Sequence, residues 1–148
     1  MPPGGEGRIT IRVNTKERSG KLKKSIGVFS NDPENRNMHL TFEASIKPIF
    51  QITPSKTVIL TGKTGERKRA EVLITAGLDK PLNLEPERFT LGEGKVSYSI
   101  ETVVPERQYR VVFTNNPNIH GSLNGELRLK TNYTEKPRIN IGIRSRFN

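Results

Sequence analysis

From Gly121 to Phe147 apolar and polar residues alternate along two arms joined by a polar turn. Leu123, Leu127 and Leu129 alternate with Glu126, Arg128 and Lys130. The turn Asn132-Tyr133-Thr134-Glu135-Lys136-Pro137 follows, and Ile139, Ile141, Ile143 and Phe147 then alternate with Arg138, Asn140, Gly142 and Arg144. Successive side chains of a strand point to opposite faces, so this period of two predicts an antiparallel hairpin with one apolar and one basic face.

The first third of the chain carries the same pattern. Ile9, Ile11 and Val13 alternate with Arg8, Thr10 and Arg12, and a polar loop through Lys16 and Arg18 leads to Gly20. Leu22, Ile26 and Val28 share one face of the next segment, and Asn31-Asp32-Pro33-Glu34-Asn35 has the residues of a turn. Met38, Leu40, Phe42, Ala44 and Ile46 then face one way, with His39, Thr41, Glu43 and Ser45 opposite. Shifted by 101, Gly20 falls on Gly121, Leu22 on Leu123, Ile26 on Leu127, Val28 on Leu129, Asn31 on Asn132, Glu34 on Glu135 and Leu40 on Ile141. Shifted by 100, Ile9, Ile11 and Val13 fall on Tyr109, Val111 and Phe113. Spacing and face agree along about forty residues, which reads as an internal repeat.

If residues 108–148 close a domain, residues 8–47 are the closing part of another. The expected organisation is residues 1–47 as the C-terminal part of a truncated repeat, a linker at 48–53, and a complete domain at 54–148. On this reading position 1 falls inside a domain, as in an N-terminal truncation or a partial gene product. The three strands of 8–47 are expected to form one sheet whose apolar face is exposed, packed on the second domain, or buried in an oligomer. Within 54–148, Thr57–Leu60, Arg69–Ala76, a short segment at Leu82–Leu84, Lys95–Thr102 and Arg107–Thr114 read as strands, separated by Gly- and Pro-rich punctuation. With the closing hairpin this makes about seven strands. The fold class expected is all-β, an immunoglobulin-like antiparallel β-sandwich, one complete domain preceded by a partial, three-stranded copy.

The runs Pro3-Gly4-Gly5-Glu6-Gly7-Arg8-Ile9, Gly20-Lys21-Leu22-Lys23-Lys24-Ser25-Ile26, Ser30-Asn31-Asp32-Pro33 and Leu40-Thr41-Phe42-Glu43-Ala44 carry a family resemblance. They resemble a bacterial domain family of unknown function with immunoglobulin-like repeats, related to the ASH (Hydin-like) and major-sperm-protein-like folds. A Pro-Gly pair before a strand and a Ser/Thr-Asn-Asp-Pro turn are that family's landmarks. The resemblance is good over 3–47 and looser over 51–148, where the turn at Asn132 keeps Asn and a later Pro but loses the Asp-Pro pair. It implies a sandwich in exported or envelope-associated bacterial proteins, periplasmic or cell-envelope in location. It implies no catalysis and brings no binding residues with it.

Chemistry-bearing motifs are few. No run approaches membrane-spanning length, and Met1-Pro2-Pro3-Gly4-Gly5 lacks the apolar stretch of a signal peptide. Cysteine is absent, which removes disulfides, thiolate nucleophiles and cysteine-based metal sites together. The only histidines are His39, outward on a strand, and His120, in a loop; a metal site or catalytic triad therefore lacks parts. Asp32 and Glu34 are too few for a calcium cage. Gly92-Glu93-Gly94-Lys95 lacks the spacer and the hydroxyl residue of a phosphate loop. Asn132-Tyr133-Thr134 matches a glycosylation acceptor, meaningful only in a eukaryotic secretory pathway. Arg67-Lys68-Arg69 beside Glu66 reads as a solvated strand start.

No enzyme and no cofactor are expected. The net charge of +10 is spread: nine Lys/Arg against five acids in 1–50, sixteen against ten in 51–148. Two readings remain. The first is an interaction module that docks a protein partner through strand edges or a sheet face. The second is polyanion binding, to nucleic acid or an acidic cell-surface polymer, through Arg128, Lys130, Arg138 and Arg144 on the outer face of the last hairpin. Specific nucleic-acid recognition is disfavoured by the lack of clustered aromatics.

Overall fold

The computed structural model describes residues 4–15, 18–92 and 94–148, and among them every regular element is a strand. The Met1-Pro2-Pro3 start, Lys16 of the first loop and Glu93 of the Gly92–Lys95 segment lie outside the described residues. The chain divides into two units, Met1–Pro48 and Ile49–Asn148.

The second unit is a two-layer immunoglobulin-like β-sandwich. Its strands are β3 (Phe50–Thr53), β4 (Thr57–Gly62), β5 (Arg69–Ala76), β6 (Leu84–Phe89), β7 (Val96–Val104), β8 (Gln108–Asn115), β9 (Gly121–Thr131) and β10 (Arg138–Phe147). One sheet has the order β4-β10-β9-β6 and the other β3-β5-β8-β7; all pairs are antiparallel except β4 with β10. The alternation read from the sequence sets the layers. Leu127 and Leu129 of β9 and Ile139, Ile141, Ile143 and Phe147 of β10 share a core with Val58, Leu60, Val72, Ile74, Val111 and Phe113. Each of these side chains is buried, and burying one contributes about 1.5–3 kcal/mol relative to exposure.

The sheet register explains one glycine. A Cβ on Gly125 would lie 2.3 Å from Cγ of Leu91, so the strand must leave that position bare for the loop leucine to enter the core.

Three expectations are corrected here. The segment 48–53 is not only a linker: Phe50 and Ile52 alternate inward, and β3 pairs with β5. Its four residues, between Pro48 and Pro54, are too few for a period to be recognised. The short strand placed at Leu82–Leu84 begins at Leu84 and runs to Phe89, with a register shift between Pro86 and Arg88; Leu82 precedes it, buried. The bulge breaks the alternation that would have disclosed the strand.

The third correction concerns the first unit. It contains β1 (Gly20–Phe29) and β2 (Asn37–Ile46) as a two-stranded antiparallel sheet, not three strands. Residues 8–14 form no strand, and Ile9 is 61% exposed. Alternation supplies a face, but a strand also needs a hydrogen-bonded neighbour. The positions matched to 9–13 in the second unit, on β8, sit between β5 and β7, in the sheet opposite β9 and β10. A single sheet of 8–47 is therefore not the arrangement that the second unit uses.

The hairpins β1–β2 and β9–β10 share one register. Gly20 pairs with Ile46 and Gly121 with Phe147; adding 101 to both partners of every β1–β2 pair gives a β9–β10 pair. Both open on a glycine at positive φ, 90° for Gly20 and 77° for Gly121, which a side chain would strain.

Candidate functional site

The basic face is built on the outward positions of β9 and β10. Arg138 stands beside Lys130, Asn140 beside Arg128, and Arg144 beside Asn124. Arg138 grips Glu87 of β6 in a two-pronged pair: Nε donates to both carboxylate oxygens at 3.0 and 2.8 Å, and Nη2 to Oε1 at 2.9 Å. Arg128 donates from Nη2 to Glu126 at 3.1 Å and from Nε to the Asn140 Oδ1 at 3.3 Å. Lys130 and Arg144 make no ion pair among the described residues. All four residues of the sequence reading thus lie on one face, two of them already matched by carboxylates.

The bonds from Arg138 hold the Glu87 carboxyl below its ordinary value, partly opposed by desolvation and helped by the charges of Arg138, Arg128 and Lys130. Exposed pairs of this kind contribute little stability, typically below about 1 kcal/mol. What they do is fix side-chain positions. The sequence reading missed Arg88, which lies directly opposite Arg128 across β6 and β9. The β6 bulge reverses the parity of the strand, so no alternation argument could place Arg88 there. In the first hairpin the matched outward positions are Gly27, Phe29, Asn37 and Glu43, so the cationic set belongs to the second unit alone.

The sheet edges differ in how they are defended. β6 carries Pro86 and a bulge, and β3 is only four residues long. β7 is nine residues, Val96-Ser97-Tyr98-Ser99-Ile100-Glu101-Thr102-Val103-Val104, with no proline and one charge. It pairs with β8 on one side and, among the described residues, with nothing on the other. Its C-terminal Val103 and Val104 are exposed. Unpaired backbone donors and acceptors along such an edge are a template for another strand.

The remaining polar groups are engaged in structure. The Asn132 amide is locked in the sandwich: Oδ1 accepts the Asn83 N–H and Nδ2 donates to the Pro81 carbonyl, both at 2.9 Å. Its glycosylation-acceptor pattern thus falls on an amide that clasps the loop before β6. Tyr133 donates its hydroxyl to the Lys80 carbonyl at 2.6 Å and stacks on Phe50 at 5.3 Å. Tyr109 and Arg107 tie the same loop through the carbonyls of Leu82 and Leu78. Asp32 accepts the N–H groups of Glu34 and Asn35, a turn role. Lys68 pairs with Glu66 at 3.0 Å just ahead of β5.

His120 Nδ1 lies 3.1 Å from the Thr64 hydroxyl, and His39 faces outward beside Gly27. Among the described residues no group of three His, Asp or Glu side chains is placed to hold a metal ion, and no helix is long and apolar enough to cross a membrane. A polar cleft is lined by Arg67, Ser97, Thr114, Asn115, Asn116 and Asn118. Its buried member, Asn115, is saturated by backbone groups of Glu66, Lys68 and Asn116.

No protein-family model matches this chain, and none of the curated proteins compared with it does. Among solved structures it is similar to a protein of unknown function from Porphyromonas gingivalis W83, with a TM-score of 0.52 and 11% identity. That match covers 90% of this chain and 69% of the other. It is also similar to domains 1–6 of the surface layer protein SbsC, with a TM-score of 0.43, 12% identity and 86% of this chain covered; the chain spans 20% of that protein. At such identities the first likeness is one of fold alone.

Proposed function

We propose that this chain is a non-enzymatic, immunoglobulin-like interaction module that binds protein partners by strand addition. The observation that carries the reading is the β7 edge: nine residues, free along one side among the described residues, with no proline or bulge before Thr102. Main-chain bonding along such an edge supplies affinity, and alternate side chains supply specificity. The organisation we propose is a partial unit over 1–47 followed by a complete one over 54–148, which β3 joins from the segment between them. The resemblance of 3–47 to a bacterial immunoglobulin-like domain family supports a bacterial, envelope-associated setting.

A displayed library of extended nine-residue peptides, selected on the whole chain, tests this. Selected peptides should slow hydrogen exchange at alternate β7 amides and hold their affinity as salt rises. Binders that leave β7 exchange unchanged would overturn the β7 assignment.

A second reading, polyanion binding, is favoured by the unmatched Lys130 and Arg144 and by Arg88 facing Arg128 across the sheet. Like charges placed directly opposite are destabilising, and a bound anion would relieve them. Heparin is the probe. Its affinity should fall steeply with salt and drop further on replacing Arg88, Lys130 and Arg144 by Gln. Salt-independent or absent binding would remove this reading.

A further inference from the structure

The geometry points to the open edge of β2 as an acceptor for an extended segment of a partner polypeptide, taken up in parallel orientation and having the chemistry of β4. This assignment rests on the reading of the chain as a strand-addition module.

The two hairpins share one register. In the second unit β10 does not end its sheet: β4 lies along its other side, parallel, from Gly142 opposite Thr57 to Phe147 opposite Gly62. The N–H of Gly142 donates to the Lys56 carbonyl at 2.8 Å, and the N–H of Asn148 to the Gly62 carbonyl at 3.3 Å. Even-numbered residues of β10 therefore turn their N–H groups toward β4. Subtracting 101 places the equivalent donors at Thr41, Glu43 and Ser45 of β2 and at Lys47 just past its end. β1 and β2 form a sheet of two strands, so among the described residues this edge is unpaired.

The turns agree in their hydrogen bonds as well. The Ser30 N–H donates to the Arg36 carbonyl and the Thr131 N–H to the Pro137 carbonyl. The hydroxyls of Ser30 and Thr131 donate to the carbonyls of Asn35 and Lys136. Each hydroxyl also accepts the N–H two residues on, from Asp32 and from Tyr133. Hairpins alike in register, opening glycine and turn bonding present the same outer edge.

The side chains say what the occupant is. β4 inserts Val58 and Leu60 into the core, both buried, beside Ile143 and the end of β10, while Ile59 stays outward at 64% exposure next to Arg144. In the first unit the inward positions that such residues would flank are Phe42 and Ala44, matched to Ile143 and Ser145, and both are only half-buried. The outward position matching Arg144 is Glu43, whose ion pair among the described residues is an exposed one with Lys23 at 3.2 Å. The partner segment is thus apolar at two alternate positions, and a cation between them would face Glu43. That cation separates it from β4 itself, whose Ile59 suits Arg144.

The test titrates isotopically labelled whole chain with two peptides of residues 55–63, one native in sequence and one carrying Ile59→Lys. Saturable amide shifts confined to the 41–47 end of β2 are expected, with the lysine form binding more tightly at low salt. Glu43→Pro removes an outward N–H without touching the β1–β2 ladder, so cross-strand contacts between Lys23 and position 43 should persist. Affinity of the native-sequence peptide, which puts no cation opposite position 43, should fall about five- to tenfold, the loss of about one hydrogen bond. A peptide with Lys at both Val58 and Leu60 needs no change in the protein and should not bind.

Absent shifts in β2, or shifts that survive the doubly substituted peptide, would overturn the proposal. Shifts at β7 alone would also overturn it and leave strand addition at that edge standing. Shifts in β2 on mixing labelled with unlabelled chain, without peptide, would assign the edge to a second copy and overturn it too.

Discussion

Ser30 and Thr131 close their turns with the same bond: each hydroxyl donates to the carbonyl five residues on, at 3.1 Å to Asn35 and 2.7 Å to Lys136. Their surroundings differ. Thr131 is buried and Ser30 is exposed. Removing a hydroxyl in a buried turn strands both the Lys136 carbonyl and the Tyr133 N–H, whereas water replaces it in an open one. Thr131→Val should destabilise the second unit by about 1–3 kcal/mol, and Ser30→Ala should leave it unchanged. All three tyrosines, at 98, 109 and 133, lie in the second unit. Tyrosine fluorescence during urea unfolding therefore reads that unit alone, and an unchanged midpoint for Thr131→Val would contradict the burial argument.

A methyl at position 125 has no room. Gly125→Ala would drive Cβ to 2.3 Å from the buried Leu91 side chain, and overpacking of this kind costs about 1–3 kcal/mol. Leu91→Ala added to it should return part of that loss, a non-additivity that marks direct contact. Gly92→Ala, next to the same leucine but with no atom within 4 Å, should be near neutral. Comparable costs at 92 and 125 would mean that the loop does not enter the core as described.

Which parts of this fold were legible depended on whether alternation was unbroken. The strands β5, β7, β8, β9 and β10 carry four or more residues of clean period, and the all-β sandwich followed from them. β3 is too short to show a period, and β6 hides behind Pro86 and its bulge, which also concealed Arg88. Ile9, Ile11 and Val13 show the opposite failure: a period without a neighbouring strand does not make a ladder. The four cations of the last hairpin could be placed on one face by parity alone. That Arg138 and Arg128 are already held by Glu87 and Glu126 could not, because those pairs depend on which strands lie side by side.

Acid should weaken the second unit through its paired carboxylates. Bonds from Lys68, Arg138 and Lys80 hold Glu66, Glu87 and Glu135 below the ordinary glutamate value of 4.5. Unfolding restores that value, so between the two the unfolded chain binds more protons and stability rises with pH. The stabilisation is present above 4.5 and is lost as pH falls through the lowered values. Urea midpoints measured downward from pH 5 should therefore decline, and Glu87→Gln should flatten part of the decline. Added salt should flatten it as well, since these groups are solvent-screened. A slope that Glu87→Gln leaves intact would assign the acid sensitivity elsewhere.

Ser145 breaks the apolar inner row of β10 between Ile143 and Phe147. Its Oγ is buried with no hydrogen-bond partner among the described residues. The matched position of the first hairpin is Ala44, which brings no hydroxyl to that row. A buried hydroxyl without a partner loses its hydration with no bond in return, at a cost of about 1–3 kcal/mol. Ser145→Ala removes one atom and little packing, so it should raise the stability of the second unit by about 1 kcal/mol. Ser145→Val should gain less, because the added methyls must find room between close-packed sheets. Urea midpoints for the two variants decide the matter: a loss of stability in Ser145→Ala would show that the hydroxyl is satisfied in solution and that β10 tolerates the serine for that reason.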